Sequence, residues 1–339
     1  MRFGFMAAES QSTGSRPLVV IPADDPPLVS RSRYLDDLRA IAEVRLYQDR
    51  PTSKDEMLDR VKPADILLNS RSAVRVSAEL LNRLPNLKMI AVCGIGYDTI
   101  DLEAATQAGI VVCNIPGRTA TVVAEHAFSL LLSVSRRVVS MTEQLREGQW
   151  SSQLGTTVIG KRIGIIGTGN IGCEMIRMCR AFGMEVVAWT LHPDEDKARL
   201  LGFRYLPLEE VLRSSDAISI HVRLSEKTNG LIGSAELQQM KRGAILVNTA
   251  RAAVVDTAAL VEALKTEHLF GAGIDVFDQE PIGSDHPLLT CENVALTPHS
   301  ADQTPEGLDI LTLGCVQNIQ AFLDGVPQNV VTAVPAARR

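Results

Sequence analysis

The run Lys161–Gly172, KRIGIIGTGNIG, constrains this chain more than any other stretch. Ile163, Ile165 and Ile166, with Val158 ahead of them, make a short apolar strand that runs straight into Gly167-x-Gly169-x-x-Gly172. An apolar helical run, Glu174 to Phe182, follows at once, and a second strand, Met184 to Trp189, follows that. The pattern predicts strand, tight turn, helix and neighbouring parallel strand. In that setting each glycine has its own task. Gly167 closes the turn, Gly169 lets backbone approach a pyrophosphate, and Gly172 lets helix pack on strand. The helix start then offers unpaired N–H groups and a positive dipole end to phosphate. Glycine-rich turns occur in many loops. The strand before this one and the helix after it are what make it a dinucleotide-binding signal.

A chain of 339 residues exceeds one typical core, so two domains are expected. From Pro17 to Cys113 short strands alternate with amphipathic helices. The strand runs are Pro17–Pro22, Glu43–Leu46, Ala64–Leu68, Lys88–Cys93 and Ile110–Cys113. This alternation predicts a doubly wound parallel sheet. Pro116-Gly117-Arg118 breaks the pattern and marks the first boundary. Thr121 to Arg146 then reads as one long helix, capped by Thr119 or Thr121, long enough to pack on a partner subunit as well as on a sheet. Beyond it the alternation restarts, with strands at Arg162–Ile166, Val186–Trp189, Ala217–His221, Ala244–Asn248, Gly271–Asp275 and Val294–Leu296. A closing helix, Thr304–Leu323, is expected to return to the first domain.

Bulk properties remove other classes. A net charge of −6 argues against a nucleic-acid surface. No apolar run approaches the roughly 18 residues of a membrane span: Ala127–Val134 is interrupted by Ser129 and Ser133. The first 16 residues lack the apolar core of a signal peptide and read as a loose polar start. The 6 cysteines form no CxxC pair, so they read as reduced, buried thiols of a cytoplasmic protein, and no metal site is expected.

Ligands of open α/β sheets bind just past the carboxyl ends of the strands. At those places this chain puts Arg251 (in VNTAR), Glu280 (in DVFDQEP) and His299 (in TPH). Arginine presents a permanently charged fork that matches a carboxylate and polarises a neighbouring carbonyl. Histidine gives a proton to a developing alkoxide and takes it back in reverse. A glutamate on the other ring nitrogen fixes the tautomer and favours the protonated ring. The chemistry served is reduction of a carbonyl beside a carboxylate, with hydride from a nicotinamide. Singly, each residue reads equally as an ordinary loop side chain; the joint placement downstream of the glycine turn carries the proposal. His126, His192, His221, His268 and His286 read as structural.

These stretches, in order GIGYDTID (Gly94–Asp101), GIIGTGNIG, VNTAR, DVFDQEP and TPH, resemble the D-isomer-specific 2-hydroxyacid dehydrogenases, over about Pro17 to Asn329. The resemblance implies a Rossmann cofactor domain, residues 118–299, inserted in a flavodoxin-like substrate domain, residues 1–117 and 300–339. It implies Arg251, Glu280 and His299 as the catalytic trio. Backbone amides of Gly94, Ile95 and Gly96 would meet the substrate carboxylate. Asn170 and Ile171 would face the pyrophosphate, Val222, Thr249 and Ala250 would line the cofactor, and Asp275 would hold the nicotinamide carboxamide. A homodimer built through the long helix is also implied.

Two departures bear on specificity. The acid that selects NAD, expected about 20 residues past the glycines, is replaced by Thr190. Threonine touches a ribose hydroxyl without repelling a 2′-phosphate, which leaves NADP open; the resemblance to the family makes NAD the expected cofactor. Arg71, in RSAVRV, resembles the loop that D-3-phosphoglycerate dehydrogenases place near the substrate phosphate, and reads equally as a solvated surface arginine. Glyoxylate, hydroxypyruvate and branched 2-oxo acids stay open beside phosphoglycerate. Formate is disfavoured, because formate dehydrogenases carry glutamine where Glu280 stands. A coenzyme-sensing binding protein of the same fold, resembling a corepressor, is the alternative to an enzyme.

Overall fold

The alternation of short apolar runs with amphipathic ones becomes, in the computed structural model, two parallel sheets. Residues 16–332 are described. The polar start read over residues 1–16 lies outside them apart from Arg16. The chain divides into one unit made of residues up to Pro116 with those from Leu311 onward, and a second, Gly117–Ile310.

In the first unit the elements are β1 (Leu18–Ile21), α1 (Leu35–Ile41), β2 (Glu43–Leu46), α2 (Lys54–Val61), β3 (Ile66–Ser70), α3 (Ala78–Leu81), β4 (Met89–Cys93), α4 (Leu102–Gln107) and β5 (Val111–Cys113). The sheet order is β2-β1-β3-β4-β5, and each of these strand pairs is parallel. β1, β3 and β4 are buried along their whole length; β1 and β4 are unbroken apolar runs, and β3 begins as one. Edge strand β2 is only partly covered. Ser53, Ser77 and Asp101 cap α2, α3 and α4 by accepting N–H bonds from Glu56, Leu80 and Ala104. β3 runs two residues beyond the expected Leu68. Its polar end is satisfied internally: Asn69 Nδ2 donates to Val74 O at 2.9 Å and Ser70 Oγ to Asp24 Oδ1 at 2.9 Å.

The second unit begins with α5 (Ala120–Ser135) and α6 (Val138–Arg146). Then follow β6 (Arg162–Ile166), α7 (Asn170–Ala181), β7 (Glu185–Trp189), α8 (Glu195–Leu201), β8 (Arg204–Tyr205), α9 (Leu208–Ser214) and β9 (Ala217–Ile220). The series ends with α10 (Ser234–Gln239), β10 (Ala244–Asn248), α11 (Thr257–Lys265), β11 (Leu269–Ile274), β12 (Val294–Leu296) and α12 (Pro305–Leu323). α12 starts in this unit and finishes in the other. The seven-stranded sheet has the order β12-β11-β10-β9-β6-β7-β8, with parallel pairing throughout. Strand order reverses at β6, so the crevice beside the glycine turn is a topological switch point.

Three local expectations are corrected. The helix read over Thr121–Arg146 is two helices, because Arg137 takes the left-handed conformation at φ 52°. Its guanidinium lies 4.3 Å from the centre of the Phe270 ring and its Nε donates to Leu154 O. Thr119 is the N-cap residue of α5 but its side chain makes no cap bond. β8, two residues long, extends the six expected strands to seven. All six cysteines are buried thiols outside any disulfide. Among the described residues no helix is long and apolar enough to cross a membrane.

Candidate active site

The glycine turn is built by close approach. Gly167 has φ +99°, and a Cβ there would lie 2.8 Å from the His221 carbonyl and the Val222 nitrogen. A Cβ on Gly172 would lie 2.0 Å from the Gly167 oxygen. Neither position tolerates a side chain, so the exit of β9 and the first turn of α7 both press on the loop. Gly169 is the opposite: nothing lies within 4 Å of its Cβ position, and it is the N-cap of α7. Asn170 is exposed and Ile171 half-buried in that first turn.

Around the turn the neighbours follow from strand order. The Gly167 N–H donates to Trp189 O at 2.7 Å, which brings Thr190 alongside. On the β9 side lie Val222, then Thr249 and Ala250 beyond β10. The Thr249 hydroxyl is buried without a protein partner, a state that a polar ligand relieves. An open helix start, a turn with no side chain over it and an orphaned hydroxyl at one sheet edge all fit a dinucleotide. Burial pushes the His221 imidazole down to about 4, so it stays neutral, with Nε2 2.8 Å from Ser219 Oγ.

The three chemistry-bearing loops after β10, β11 and β12 do gather in this unit. Asn248 shapes the first: its Oδ1 accepts from Ala250 N at 3.0 Å and its Nδ2 donates to Arg251 O at 3.0 Å. Arg251 Nη1 donates to Ala250 O at 2.8 Å, and its charge acts on Glu280. Glu280 Oε2 lies 2.7 Å from His299 Nδ1, while Oε1 accepts from Phe277 N at 3.0 Å. Burial works to raise the Glu280 carboxyl, but the His299 bond and charge, the Phe277 amide and Arg251 outweigh it and hold it below the usual range. It is a carboxylate at neutral pH. His299 itself sits at φ 49°, a left-handed backbone that a non-glycine residue adopts only when its surroundings impose it.

Asp275 supplies that imposition. It is fully buried, and its oxygens accept from Thr297 Oγ1 at 2.6 Å, Ser300 N at 2.8 Å and Ala301 N at 3.1 Å. The residues it grips flank His299 on both sides. Burial alone would raise the Asp275 carboxyl; bonds from His126, Thr297 and Ser300 reverse the shift and hold it low. His126 Nε2 reaches Thr297 Oγ1 at 2.9 Å from α5. Read from sequence as a structural histidine, it belongs to this network. No local pattern announces it, because its partner is 171 positions away.

The remaining expected residues belong to the first unit, at the carboxyl edge of its sheet. The carbonyls of Gly94, Ile95 and Gly96 accept bonds from Ile115 N, Asn114 Nδ2 and Ser72 Oγ at 2.9, 2.7 and 3.1 Å. Arg71 and Ser72 are both left-handed, at φ 51° and 55°. Arg71 N donates to Cys93 O at 3.2 Å, so the loop carrying Arg71 is fastened to the one carrying Gly94–Gly96.

Residues 128–301 match the family model described as D-isomer specific 2-hydroxyacid dehydrogenase, NAD binding domain. The glyoxylate reductase of Korarchaeum cryptofilum is 41% identical over 307 residues, 88% of this chain and 92% of the relative. The D-3-phosphoglycerate dehydrogenase of Archaeoglobus fulgidus is 36% identical over 286 residues, 84% of this chain and 54% of the relative. Among solved structures, the TT0316 protein from Thermus thermophilus superposes with a TM-score of 0.83 at 38% identity, covering 93% of this chain and 99% of that one. A glycine turn at a switch point, a glutamate-bonded histidine with an arginine beside it, and these similarities converge: the chain belongs to the D-isomer specific 2-hydroxyacid dehydrogenase family of NAD-dependent oxidoreductases.

Proposed function

We propose that the protein reduces a small 2-oxo acid to the D-2-hydroxy acid, with Arg251, Glu280 and His299 as the working side chains. The observation that carries this reading is the 2.7 Å contact between Glu280 Oε2 and His299 Nδ1. An ionised glutamate on Nδ1 makes that nitrogen the donor and fixes the ring's orientation, and in reduction Nε2 carries the proton given to the carbonyl oxygen. The Arg251 guanidinium holds the substrate carboxylate and polarises the adjacent carbonyl. When bound, the nicotinamide supplies the hydride. Gly167, Gly169, Asn170, Ile171 and Gly172 receive the pyrophosphate. Thr190 meets the adenosine ribose, and Val222, Thr249 and Ala250 line the coenzyme. Asp275 clamps the loop that carries His299, and the amides of Gly94, Ile95 and Gly96 add donors for a carboxylate.

Glyoxylate, on which the named reductase relative acts, is the first substrate reading. Arg71, fastened beside the Gly94–Gly96 loop, supports a second, a phosphorylated 2-oxo acid. Rates with glyoxylate, hydroxypyruvate and 3-phosphohydroxypyruvate discriminate: kcat/KM highest for glyoxylate supports the first reading, and highest for the phosphorylated acid the second. Turnover of none of them, nor of a branched 2-oxo acid, would overturn both.

The glutamate's role has its own signature. Glu280→Gln keeps the length of the side chain and removes the carboxylate that holds His299 Nδ1. kcat for reduction is expected to fall by about tenfold or more, with NADH binding within about twofold of native. A variant with native kcat would show that Glu280 is not the partner.

The protein is also read as a homodimer. Val138 (49% exposed), Leu145 (53%), Trp150 (95%), Leu154 (90%) and Ile159 (63%) leave large apolar side chains in water along one short stretch. A second copy of the same surface is the occupant proposed for them. Trp150→Glu combined with Leu154→Glu should convert a dimeric native species to monomer in sedimentation velocity. A native protein that sediments as a monomer contradicts the assignment.

A further inference from the structure

We infer that Lys197, with Thr190, forms an acceptor for a phosphate on the 2′ position of the coenzyme's adenosine ribose, so that this chain binds NADP(H) as well as NAD(H). The inference rests on the family reading that a dinucleotide occupies the glycine turn. It deepens that reading by naming the residues that choose between the two coenzymes.

Three observations bear on the glycine loop and its flank. Thr190 directly follows Trp189, whose carbonyl holds the Gly167 N–H at 2.7 Å, so it stands at the end of the strand next to the turn. In this fold that position faces the adenosine ribose. A carboxylate there accepts bonds from both ribose hydroxyls and repels a 2′-phosphate; threonine has no charge to repel with and a hydroxyl to donate. Second, Lys197 leans from the first turn of α8 back to the glycine loop, where its Nζ donates to Thr168 O at 3.3 Å. Thr168 is the residue between the first two glycines, so the ammonium is held at the flank of the turn where the ribose arrives. Third, the lysine is anchored at its backbone as well. Its N–H donates to Asp194 Oδ1 at 3.0 Å, while the nearest Asp194 oxygen to Nζ is 4.0 Å away. The side chain is 37% exposed.

The physical consequence is a point charge on a long stem, resting on a neutral carbonyl with the Asp194 carboxylate 4.0 Å away. A 2′-phosphate carries roughly −1.5 to −2 charge at neutral pH and draws an ammonium more strongly than a peptide oxygen does. Lysine exchanges the Thr168 carbonyl for a phosphate oxygen by rotation about its own stem, leaving α8 in place. Asp194, Glu195 and Asp196 stand at the start of the same helix and moderate the attraction. The outcome is tolerance of both coenzymes rather than exclusion of NAD.

The test is direct binding, by calorimetry on the full-length protein, of NADH, NADPH, AMP and adenosine 2′,5′-bisphosphate. The native protein should bind NADH and NADPH within about tenfold of each other and prefer the bisphosphate to AMP. Lys197→Met keeps the stem and loses the charge. It should weaken NADPH and the bisphosphate by about tenfold or more, and NADH by less than about twofold. Thr190→Asp should weaken NADPH at least as much while NADH binding persists. Equal weakening of both coenzymes by Lys197→Met, with unchanged thermal unfolding, would assign the lysine to holding the loop and overturn the inference. So would native NADPH binding about a hundredfold weaker than NADH. Failure to bind either coenzyme would instead remove the dinucleotide reading beneath it.

Discussion

Replacing His299 with Asn is expected to lower kcat for 2-oxo-acid reduction by about a thousandfold while NADH affinity stays within about twofold. A positioned acid contributes on the order of 10² to 10⁴ to such a step, and asparagine cannot exchange the proton. The choice of asparagine matters. His299 is held at φ 49°, and asparagine tolerates that backbone better than alanine does. A loss of rate is then a loss of chemistry rather than of loop shape. The Asp275 grip on Thr297, Ser300 and Ala301 remains intact in this variant. Pre-steady-state mixing of the NADH complex with glyoxylate reads the step directly. A variant that consumes NADH at the native rate would place the acid elsewhere.

Arg251→Lys should be nearly as damaging, for a different reason. The substitution keeps the positive charge and discards the planar fork, and it cannot bond two carboxylate oxygens side by side while polarising a carbonyl. One lost charge-assisted bond at a reacting group costs about 3 kcal/mol, so kcat/KM for the 2-oxo acid should fall by about a hundredfold. If the same fork serves binding and activation, as proposed, KM for the acid should rise and kcat should fall together. Asn248 fixes the Arg251 backbone through Ala250 N and Arg251 O, so the variant lysine leaves the same point in the chain. Steady-state kinetics over a range of 2-oxo-acid concentrations measure both constants. A lysine variant with native kcat/KM would show that charge alone suffices.

Much of this was readable in the residues because the fold repeats one unit. Parallel strands covered on both faces must be mostly apolar; β1 and β4 are unbroken apolar runs, and β3, β6, β9 and β10 carry only one or two polar residues each. The glycine turn was legible because each of its glycines answers a separate steric demand, visible as the near-contacts at Gly167 and Gly172 and the open space at Gly169. Three things were not legible. β8 is Arg204–Tyr205, an edge pair with a charge and no apolar run, so nothing local marks it as strand. The break at Arg137 accompanies a stacking of its guanidinium on Phe270, a contact between distant parts of the chain. The His126–Thr297–Asp275 chain has the same origin, since α5 and the loop after β12 meet only in the folded sheet. The pairing of Glu280 with His299 is intermediate. The residues were recognisable from their places after strands, whereas a contact of 2.7 Å needed coordinates.

The most direct test of the central claim is the configuration of the product. Hydroxypyruvate and NADH incubated with the native protein should yield D-glycerate alone, one molecule for each NADH consumed, by chiral chromatography. L-glycerate, a racemate, or NADH consumption without glycerate would contradict the account.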